Sequence, residues 1–371
     1  MGCACTHEEI GLEKKNEIED KISFNEEKLI ENKNNEEQTN KVNNNIPIES
    51  NFKENNEVNE TNRLKDAPPQ AGLEKKSKDN LTPTNKGYNI HNSEEKPYIE
   101  IKTDKINEND FNELIKEYPK IDDDVTVEKR NPQEFKENKE IYYGEWAKDT
   151  NYRHGRGVQI WPNGEKYIGY WKNNKACGKG KLYHSDGDVY EGEWLNDKPN
   201  GYGKYVQKDG TKYEGEWKDD KQDGDGKELW PDGSKYEGQY KNGKKNGHGK
   251  FSWSNGSIYE GNFEDNQING KGIYIFSDAR KYIGSWVGNK FEGKGLFIWP
   301  DGRRYEGDYK DDKKDGFGIF EWPNGKKYKG HWKDGKQDGE GEFYFPTKNE
   351  WKKGIWKDGK RIKWIENKDF F

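Results

Sequence analysis

The chain opens Met1-Gly2-Cys3-Ala4-Cys5-Thr6, and these residues carry the most specific chemistry in the sequence. A glycine freed by loss of the initiator methionine, small uncharged neighbours and a hydroxyl residue at position six are what transfer of myristate to an α-amine requires. Cys3 and Cys5 then place two thiols beside the modified amine, where palmitoyl thioesters form. One acyl chain binds a bilayer marginally and a second makes the attachment stable. The expectation is myristate on Gly2 and palmitate on Cys3 and Cys5, with a membrane as the partner of that tip. Glu8 and Glu9 follow shortly after it, so anionic lipid adds nothing to the attachment.

The remaining reactive residue types do not assemble into a catalytic or metal motif. His7, His91, His154, His184, His248 and His331 are scattered, with no pair at metal-ligand spacing. Cys177, without a histidine assigned to it by any motif, reads as an inert thiol. A recurring Gly-x-Gly lies between strand-like segments, not between a strand and a helix, so it is no nucleotide-binding turn. No catalytic residue, cofactor or metal is expected, and the chain reads as a non-enzyme.

Composition points to repetition. Of 371 residues, 28% are hydrophobic and 37% charged, too little aliphatic surface for an ordinary core of that size, yet 14% are aromatic and 43 are glycine. Residues 1–140 hold 22 Lys and Arg against 33 Asp and Glu, leaving 43 against 38 for residues 141–371. The arm is acidic and the remainder mildly basic, which is no footprint for nucleic acid. Three cysteines exclude a disulfide framework and fit a reducing compartment. No apolar run approaches the length of a membrane-spanning helix.

The chain divides into three regions. Residues 1–95 read as a disordered arm rich in Asn, Glu and Lys: eleven of the thirty residues from Glu31 to Glu60 are asparagine, and such a segment buries too little apolar area to offset its ordering entropy. Residues 96–140 read as a partly ordered connector. Within it Phe111, Leu114, Ile115 and Tyr118 share one helical face behind the cap Asn109-Asp110. The pattern predicts a short helix over about 110–118, covering the open edge of the repeat region, and a strand over Val125 to Val127.

From residue 141 to 349 the sequence repeats nine times. Tyr-x-Gly-x-Trp/Tyr/Phe starts at Tyr142, Tyr167, Tyr190, Tyr213, Tyr236, Tyr259, Tyr282, Tyr305 and Tyr328, stepping by 23 after a first unit two residues longer. Gly-x-Gly starts at Gly155, Gly178, Gly201, Gly224, Gly247, Gly270, Gly293, Gly316 and Gly339, all 23 apart. In the unit Lys212 to Gly233, Tyr213, Gly215 and Trp217 alternate with Glu214, Glu216 and Lys218, the period of a strand. A turn from Asp219 to Asp223 leads to a second strand, and Asp232-Gly233 turns the chain back with the positive φ that a tight hairpin needs. Asp278-Ala279 departs from this pairing and predicts a looser turn.

One face of each hairpin should bear rings: Tyr190, Trp194, Tyr213, Trp217, Trp230, Tyr236, Tyr240, Trp253, Tyr259, Tyr282, Trp286, Trp299, Tyr305, Trp322, Tyr328 and Trp332. Between them, Gly201, Gly203, Gly224, Gly226, Gly247, Gly249, Gly270, Gly272, Gly293, Gly295, Gly316 and Gly318 leave room for rings from adjacent strands. Each ring buries roughly 150–250 Å², enough for a single sheet to stand without a covering layer. The pattern is equally consistent with rings that are glue alone and with rings that also form a docking groove for protein partners. The opposite face carries Glu and Lys with Ile160, Val206, Leu229, Ile275 and Ile298.

These units resemble the MORN repeat, YxGxWxxGKxxGxGxxxxxDG, from Tyr142 to about Phe345. A degenerate tenth unit around Lys352-Lys353-Gly354-Ile355-Trp356 and a terminal strand at Arg361 to Ile365 form a cap over 350–371. The resemblance implies an all-β repeat fold: one elongated, twisted antiparallel sheet of tandem hairpins. It also implies a scaffold at membranes, cilia or cytoskeletal structures. The leading expectation is a membrane-tethered scaffold that positions protein partners at the cytosolic face of a plasma, ciliary or cortical membrane. One alternative is a structural part of a cilium or the cytoskeleton, resembling MORN proteins of radial spokes. Another is phosphoinositide binding through Lys166, Lys212, Lys235, Lys281, Arg303, Arg304, Lys326 and Lys327.

Overall fold

The computed structural model describes Phe111, Asn112, Lys116, Tyr118, Pro119 and residues 124–365. The acylation motif at Gly2, Cys3 and Cys5 and the acidic arm over 1–95 lie outside the described residues. Two short strands, β1 (Val127–Lys129) and β2 (Gln133–Glu134), precede the repeats. The nine repeats are the hairpins β3 (Ile141–Ala147) with β4 (Arg153–Ile160), β5 (Lys166–Lys172) with β6 (Lys175–Tyr183), and β7 (Val189–Leu195) with β8 (Lys198–Val206). Next come β9 (Lys212–Lys218) with β10 (Lys221–Leu229), β11 (Lys235–Lys241) with β12 (Lys244–Ser252), and β13 (Ile258–Glu264) with β14 (Gln267–Ile275). The last are β15 (Lys281–Val287) with β16 (Lys290–Ile298), β17 (Arg304–Lys310) with β18 (Lys313–Glu321), and β19 (Lys327–Lys333) with β20 (Lys336–Phe345). A tenth hairpin, β21 (Glu350–Lys357) with β22 (Lys360–Trp364), ends the series.

From β3 onward each strand pairs antiparallel with its neighbours in sequence, giving one open sheet. The 23-residue period arises from two alternating turns and two strands. The first turn is a two-residue connection with both residues at positive φ, as at Asp219 (φ 47) and Asp220 (φ 72). That is the type I′ geometry, whose twist matches the strands it joins. The expected longer turn from Asp219 to Asp223 is therefore shorter, and Lys221 to Asp223 belong to β10. Asn and Asp tolerate this conformation, and they also tie hairpins together. The second turn residue accepts the N–H of a residue 21 positions earlier: Asp197 from Ala176 (2.7 Å), Asn289 from Ile268 (2.7 Å) and Asp312 from Phe291 (2.8 Å).

The second turn closes with Gly233 N–H donating to Trp230 carbonyl (2.9 Å) and Trp230 N–H to Ser234 carbonyl (3.0 Å). Of the Asp-Gly pair only Gly233 has positive φ, at 87. Ser234 and Ser257 are buried after their turns, and each hydroxyl accepts the N–H of the residue 20 further on, Ser254 and Ser277, at 3.1 Å. Asp278-Ala279 does not loosen its turn. Ala279 takes φ 67 and keeps both hydrogen bonds, 2.9 Å each. The sheet imposes the conformation on a residue whose Cβ disfavours it.

The N-terminal end differs from expectation in how it is covered. β1 pairs with Glu145 to Ala147 and β2 with Ile141 and Tyr142, both along the edge of β3 that β4 does not use. These strands protect the edge, and the expected strand over Val125 to Val127 starts at Val127. Phe111 and Asn112 are helical; 110, 113–115 and 117, which the expected helix over about 110–118 includes, lie outside the described residues. Phe111 does not sit at the edge. It is buried on the face opposite the rings, against Tyr143 at 4.7 Å and beside Val158, Ile160 and Ile168. At the far end, the tenth unit has Lys352 where the opening tyrosine would stand, paired with Phe343. Trp356 still packs edge-on against Tyr328 at 4.9 Å, and Trp364 of β22 closes the row against Trp356 at 5.8 Å.

Candidate functional site

The sheet has two faces of opposite character, and the repeat explains both. On the ring face, cross-strand partners Gly238 and Gly249 lie side by side, and a Cβ on Gly238 would stand 2.5 Å from the Cα of Gly249. Into the space left by this pair Tyr236 lays its ring. A Cβ on Gly249 would fall 2.4 Å from its hydroxyl oxygen. The hydroxyl donates to the carbonyl of Gln239 at 3.0 Å. The same bond recurs from Tyr190 to Glu193 (2.9 Å), Tyr259 to Asn262 (2.9 Å), Tyr305 to Asp308 (3.0 Å) and Tyr328 to His331 (3.0 Å). Each tyrosine meets two rings edge-on: Tyr236 packs on Tyr240 at 5.3 Å and Phe263 at 5.2 Å, both at 89°. The next repeat's tryptophan often donates its indole N–H to a carbonyl of the glycine bed, Trp194 to Gly180 at 3.0 Å and Trp217 to Gly203 at 3.3 Å.

A second row runs alongside, from Trp230 stacked on Phe251 (5.2 Å) through Trp253, Tyr274, Phe276, Phe297, Trp299, Phe320 and Trp322 to Phe343. The rings therefore cover one another. Tyr190, Trp194, Tyr213, Trp230, Tyr236, Tyr240, Tyr259, Tyr282, Trp286, Trp299, Tyr305, Tyr328 and Trp332 are buried, while Trp217, Trp253 and Trp322 are half-buried. Burial pushes the tyrosine hydroxyls above their ordinary value near 10, Tyr274 to about 12, and Tyr236, Tyr259 and Tyr305 further still. They stay neutral, and Tyr236, Tyr259 and Tyr305 keep their donor bonds. This face is glue.

The glycines divide by role. The bed is made by the glycine of Tyr-x-Gly, as in Gly192, Gly215, Gly238, Gly261, Gly284 and Gly307, and by the second of Gly-x-Gly, as in Gly203, Gly226, Gly249, Gly272, Gly295 and Gly318. The first of Gly-x-Gly does not lie under a ring. Gly247 has φ +79 at a bulge, and a Cβ there would strike Gln239 on the other face; Gly201, Gly224, Gly270, Gly293 and Gly316 share the positive φ. The bulge frees one amide, which the opposite face satisfies: His248 N–H donates to Gln239 (3.0 Å) and Phe317 N–H to Asp308 (2.9 Å).

Cations also enter the ring face in three repeats, at the position two before Gly-x-Gly, as Arg153, Lys245 and Lys314. Lys245 is 8% exposed, 4.8–5.5 Å from the centres of Trp230, Tyr236 and Tyr240, and paired with Glu228 at 2.8 Å. Lys314 lies 4.8–5.3 Å from Trp299, Tyr305, Phe320 and Trp332. Arg153 covers Trp171 at 4.2 Å. Ile268 and Phe291 hold the same position in other repeats, so a cation over rings substitutes there for an apolar side chain. The same column also holds Gln222 and Gln337, so the sequence does not mark these cations as ring-covered.

The opposite face is largely polar. Cross-strand pairs such as Lys227 with Glu237 (2.9 Å), Lys181 with Glu191 (3.0 Å) and Lys204 with Glu214 (3.3 Å) run along it. Val206 and Leu229 are 36% and 40% exposed. The basic row ahead of the opening tyrosines is partly engaged by the protein itself. Arg304 meets Glu306 and Glu321 at 2.7 and 3.7 Å, Lys327 meets Glu321 at 3.2 Å, Lys166 lies over Tyr183 at 4.5 Å, and Arg303 pairs with Asp301 at 2.7 Å. The histidines are not brought together: His154 is buried, His184 faces Glu165 at 3.4 Å, and burial lowers the His248 pKa. Among the described residues there is no group of three or more His, Cys, Asp or Glu placed to hold a metal.

An open single-layer sheet of ring-locked hairpins is the class of protein that this geometry defines. The MORN repeat model matches residues 142–166, 167–189, 190–212, 213–235, 236–258, 259–278, 282–303, 305–327 and 328–350, and the chain belongs to that family. No curated protein matches it. Among solved structures, the chain is similar to the SAS-4 (dCPAP) TCP domain of Drosophila melanogaster in complex with a proline-rich motif of Ana2. The identity is 16% and the TM-score 0.26, over 40% of this chain and 81% of that one. It is also similar to the TCP10 domain of Danio rerio CPAP, E1021V mutant, at 13% identity and TM-score 0.20, over 64% and 99%. A streptogramin B lyase matches at 12% identity and TM-score 0.13, over 64% and 86%. Scores this low establish no common architecture.

Proposed function

We propose that this protein is a non-enzymatic scaffold, tethered by its acylated N-terminus to the cytosolic face of a membrane, with its repeat sheet holding protein partners there. The observation that carries the scaffold reading is the closure of the ring face on itself. The rings are consumed in holding one layer together, and beyond the second repeat the opposite face is largely open to solvent. A surface of that kind, without a convergent catalytic group, serves binding. The tether is supported by Gly2, Cys3 and Cys5, which fit a doubly acylated terminus.

Metabolic labelling with a myristate analogue tests the tether. Wild type takes up label and sediments with membranes from which mild detergent releases it; Gly2→Ala takes up none and moves to the soluble fraction. Unlabelled wild type, or wild type kept in the detergent-insoluble cytoskeleton, overturns the tethered reading.

A further inference from the structure

Many of the hairpins seat the next one through groups at the start of their second strand. The lysine that opens this strand pairs with a carboxylate in the first turn of the following hairpin. The pairs are Lys198 with Asp219 (3.9 Å), Lys244 with Asp265 (3.0 Å), Lys290 with Asp311 (2.8 Å), Lys313 with Asp334 (2.9 Å) and Lys336 with Asp358 (3.6 Å). The residue after the lysine often gives its backbone N–H to a side chain of the same turn, as Lys245 does to Asn266 and Phe291 to Asp312, both at 2.8 Å. The residue after that is often an acid that accepts an N–H from the turn, as Asp223 does from Asn242 (3.0 Å) and Glu292 from Asp311 (3.1 Å).

β22 keeps part of this arrangement and changes the rest. Among the described residues it pairs with β21 alone, so its other edge is open. Lys360 opens the strand and Arg361 follows, but Ile362, 62% exposed, stands in place of the acid. Lys363 comes next, and the strand holds no carboxylate. Among the described residues Lys360 and Lys363 form no ion pair, and Arg361 lies over the ring of Trp364 at 4.4 Å. Trp364 is opposite Gly354, where the preceding hairpin sets Gly341 opposite Gly330. It is half-buried and ends the ring row. The strand thus stops the ring pattern while leaving its cations and its backbone edge unused.

We propose that β22 is the docking edge for an extended acidic segment of another protein, which adds to the sheet as a further strand. Backbone donors and acceptors of the open edge supply the pairing. Side chains alternate along a strand, so acids on one side of the segment meet Lys360 and Lys363 while apolar residues on the other cover Trp364. The acidic sign follows from cations left without the carboxylate that the earlier lysines take from the next hairpin. A second copy of the chain does not fit. Its edge at β3 is taken by β1 and β2, strands of only three and two residues. Its other edge is β22, and pairing the two would set cation against cation. The site rests on the scaffold reading, to which it gives a place for a partner, and it does not depend on the tether.

The test uses the full, non-acylated chain without membranes, so its failure leaves the labelling result untouched. The probe is a short fluorescent peptide in which glutamate alternates with valine around one phenylalanine. Anisotropy should show saturable binding, and hydrogen–deuterium exchange should show added protection at 360–364 alone. The same peptide N-methylated along its backbone keeps its charge and loses its donors; it should bind at least tenfold more weakly. Lys360→Glu/Lys363→Glu should weaken binding at least tenfold. Lys329→Glu, at an exposed lysine of β19 inside the sheet, should leave it unchanged. Circular dichroism and melting confirm that each variant folds. No binding to wild type, equal binding of the N-methylated peptide or of the double variant, or added protection elsewhere in the sheet overturns the proposal. Self-association of wild type that protects 360–364 without any peptide overturns it as well.

Discussion

Two different needs for glycine are separable by substitution in one hairpin. Gly249 has no positive φ, and a Cβ there would fall 2.4–2.7 Å from the hydroxyl, Cε2 and Cζ atoms of Tyr236. Gly243 has φ +81 with nothing within 4 Å of its Cβ position. Gly243→Ala therefore costs only the conformational term, about 1 kcal/mol. Gly249→Ala costs the overlap. Tyr236 is 1% exposed and held edge-on between Tyr240 and Phe263, so its ring has little room to retreat. Overpacking of this kind costs roughly 1–3 kcal/mol, and loss of the Gln239 hydrogen bond adds about 1 kcal/mol. Gly238→Ala should cost at least as much, because its Cβ would meet backbone, the Gly249 Cα at 2.5 Å and the His248 carbonyl at 2.7 Å. Urea unfolding of the three variants, monitored by tryptophan emission and circular dichroism, gives the order directly. If Gly249→Ala is no more destabilising than Gly243→Ala, the glycine bed is not what seats the rings.

Ala279→Gly should stabilise by up to about 1 kcal/mol, since it relieves a left-handed alanine while making the unfolded chain only slightly freer; a lowered melting temperature contradicts this. Lys245→Met leaves Glu228 beneath the rings without its cation and should cost about 3 kcal/mol, whereas Lys245→Ile with Glu228→Gln recovers at least half, both read by urea unfolding. The ring-face tyrosines have folded pKa values above the ordinary 10 because of burial. Their contribution to stability is therefore fully present below pH 10 and lost as pH rises through the folded values, Tyr274 near 12. Tyrosinate absorbance should rise late and together with loss of the circular dichroism signal; ionisation of most tyrosines near pH 10 in a still-folded chain would refute it.

The period, the hairpins and the identity of the ring face were legible because two motifs of fixed spacing report strand alternation and turn chemistry at once. Less legible were features set by neighbours in space. Gly247 and Gly249 look alike in sequence, but a bulge between Gly238 and Tyr240 turns the first toward Gln239 and leaves the second under Tyr236. Gly238, equally part of the bed, reads as a spacer between Tyr236 and Tyr240 until its cross-strand partner is known. Asp278-Ala279 predicts a looser turn on local preference alone, yet the flanking ladder holds Ala279 at φ 67. The apolar stripe of Phe111 and Tyr118 was visible, but its target was not. Edge or face depends on β1 and β2, which are too short to stand out. Lys245 and Lys314 read as ordinary surface lysines because the rings that surround them come from adjacent hairpins.

Hydrogen–deuterium exchange across residues 141–365 of the intact chain addresses most directly whether interlocked rings alone sustain a one-layer sheet. Ladder amides from β5 through β20 should be protected as a block, with protection falling off toward β22, where the row of rings ends at Trp364. Exchange at the rate of an unstructured chain through the middle hairpins, in the absence of any partner, would show that one layer does not stand by its rings.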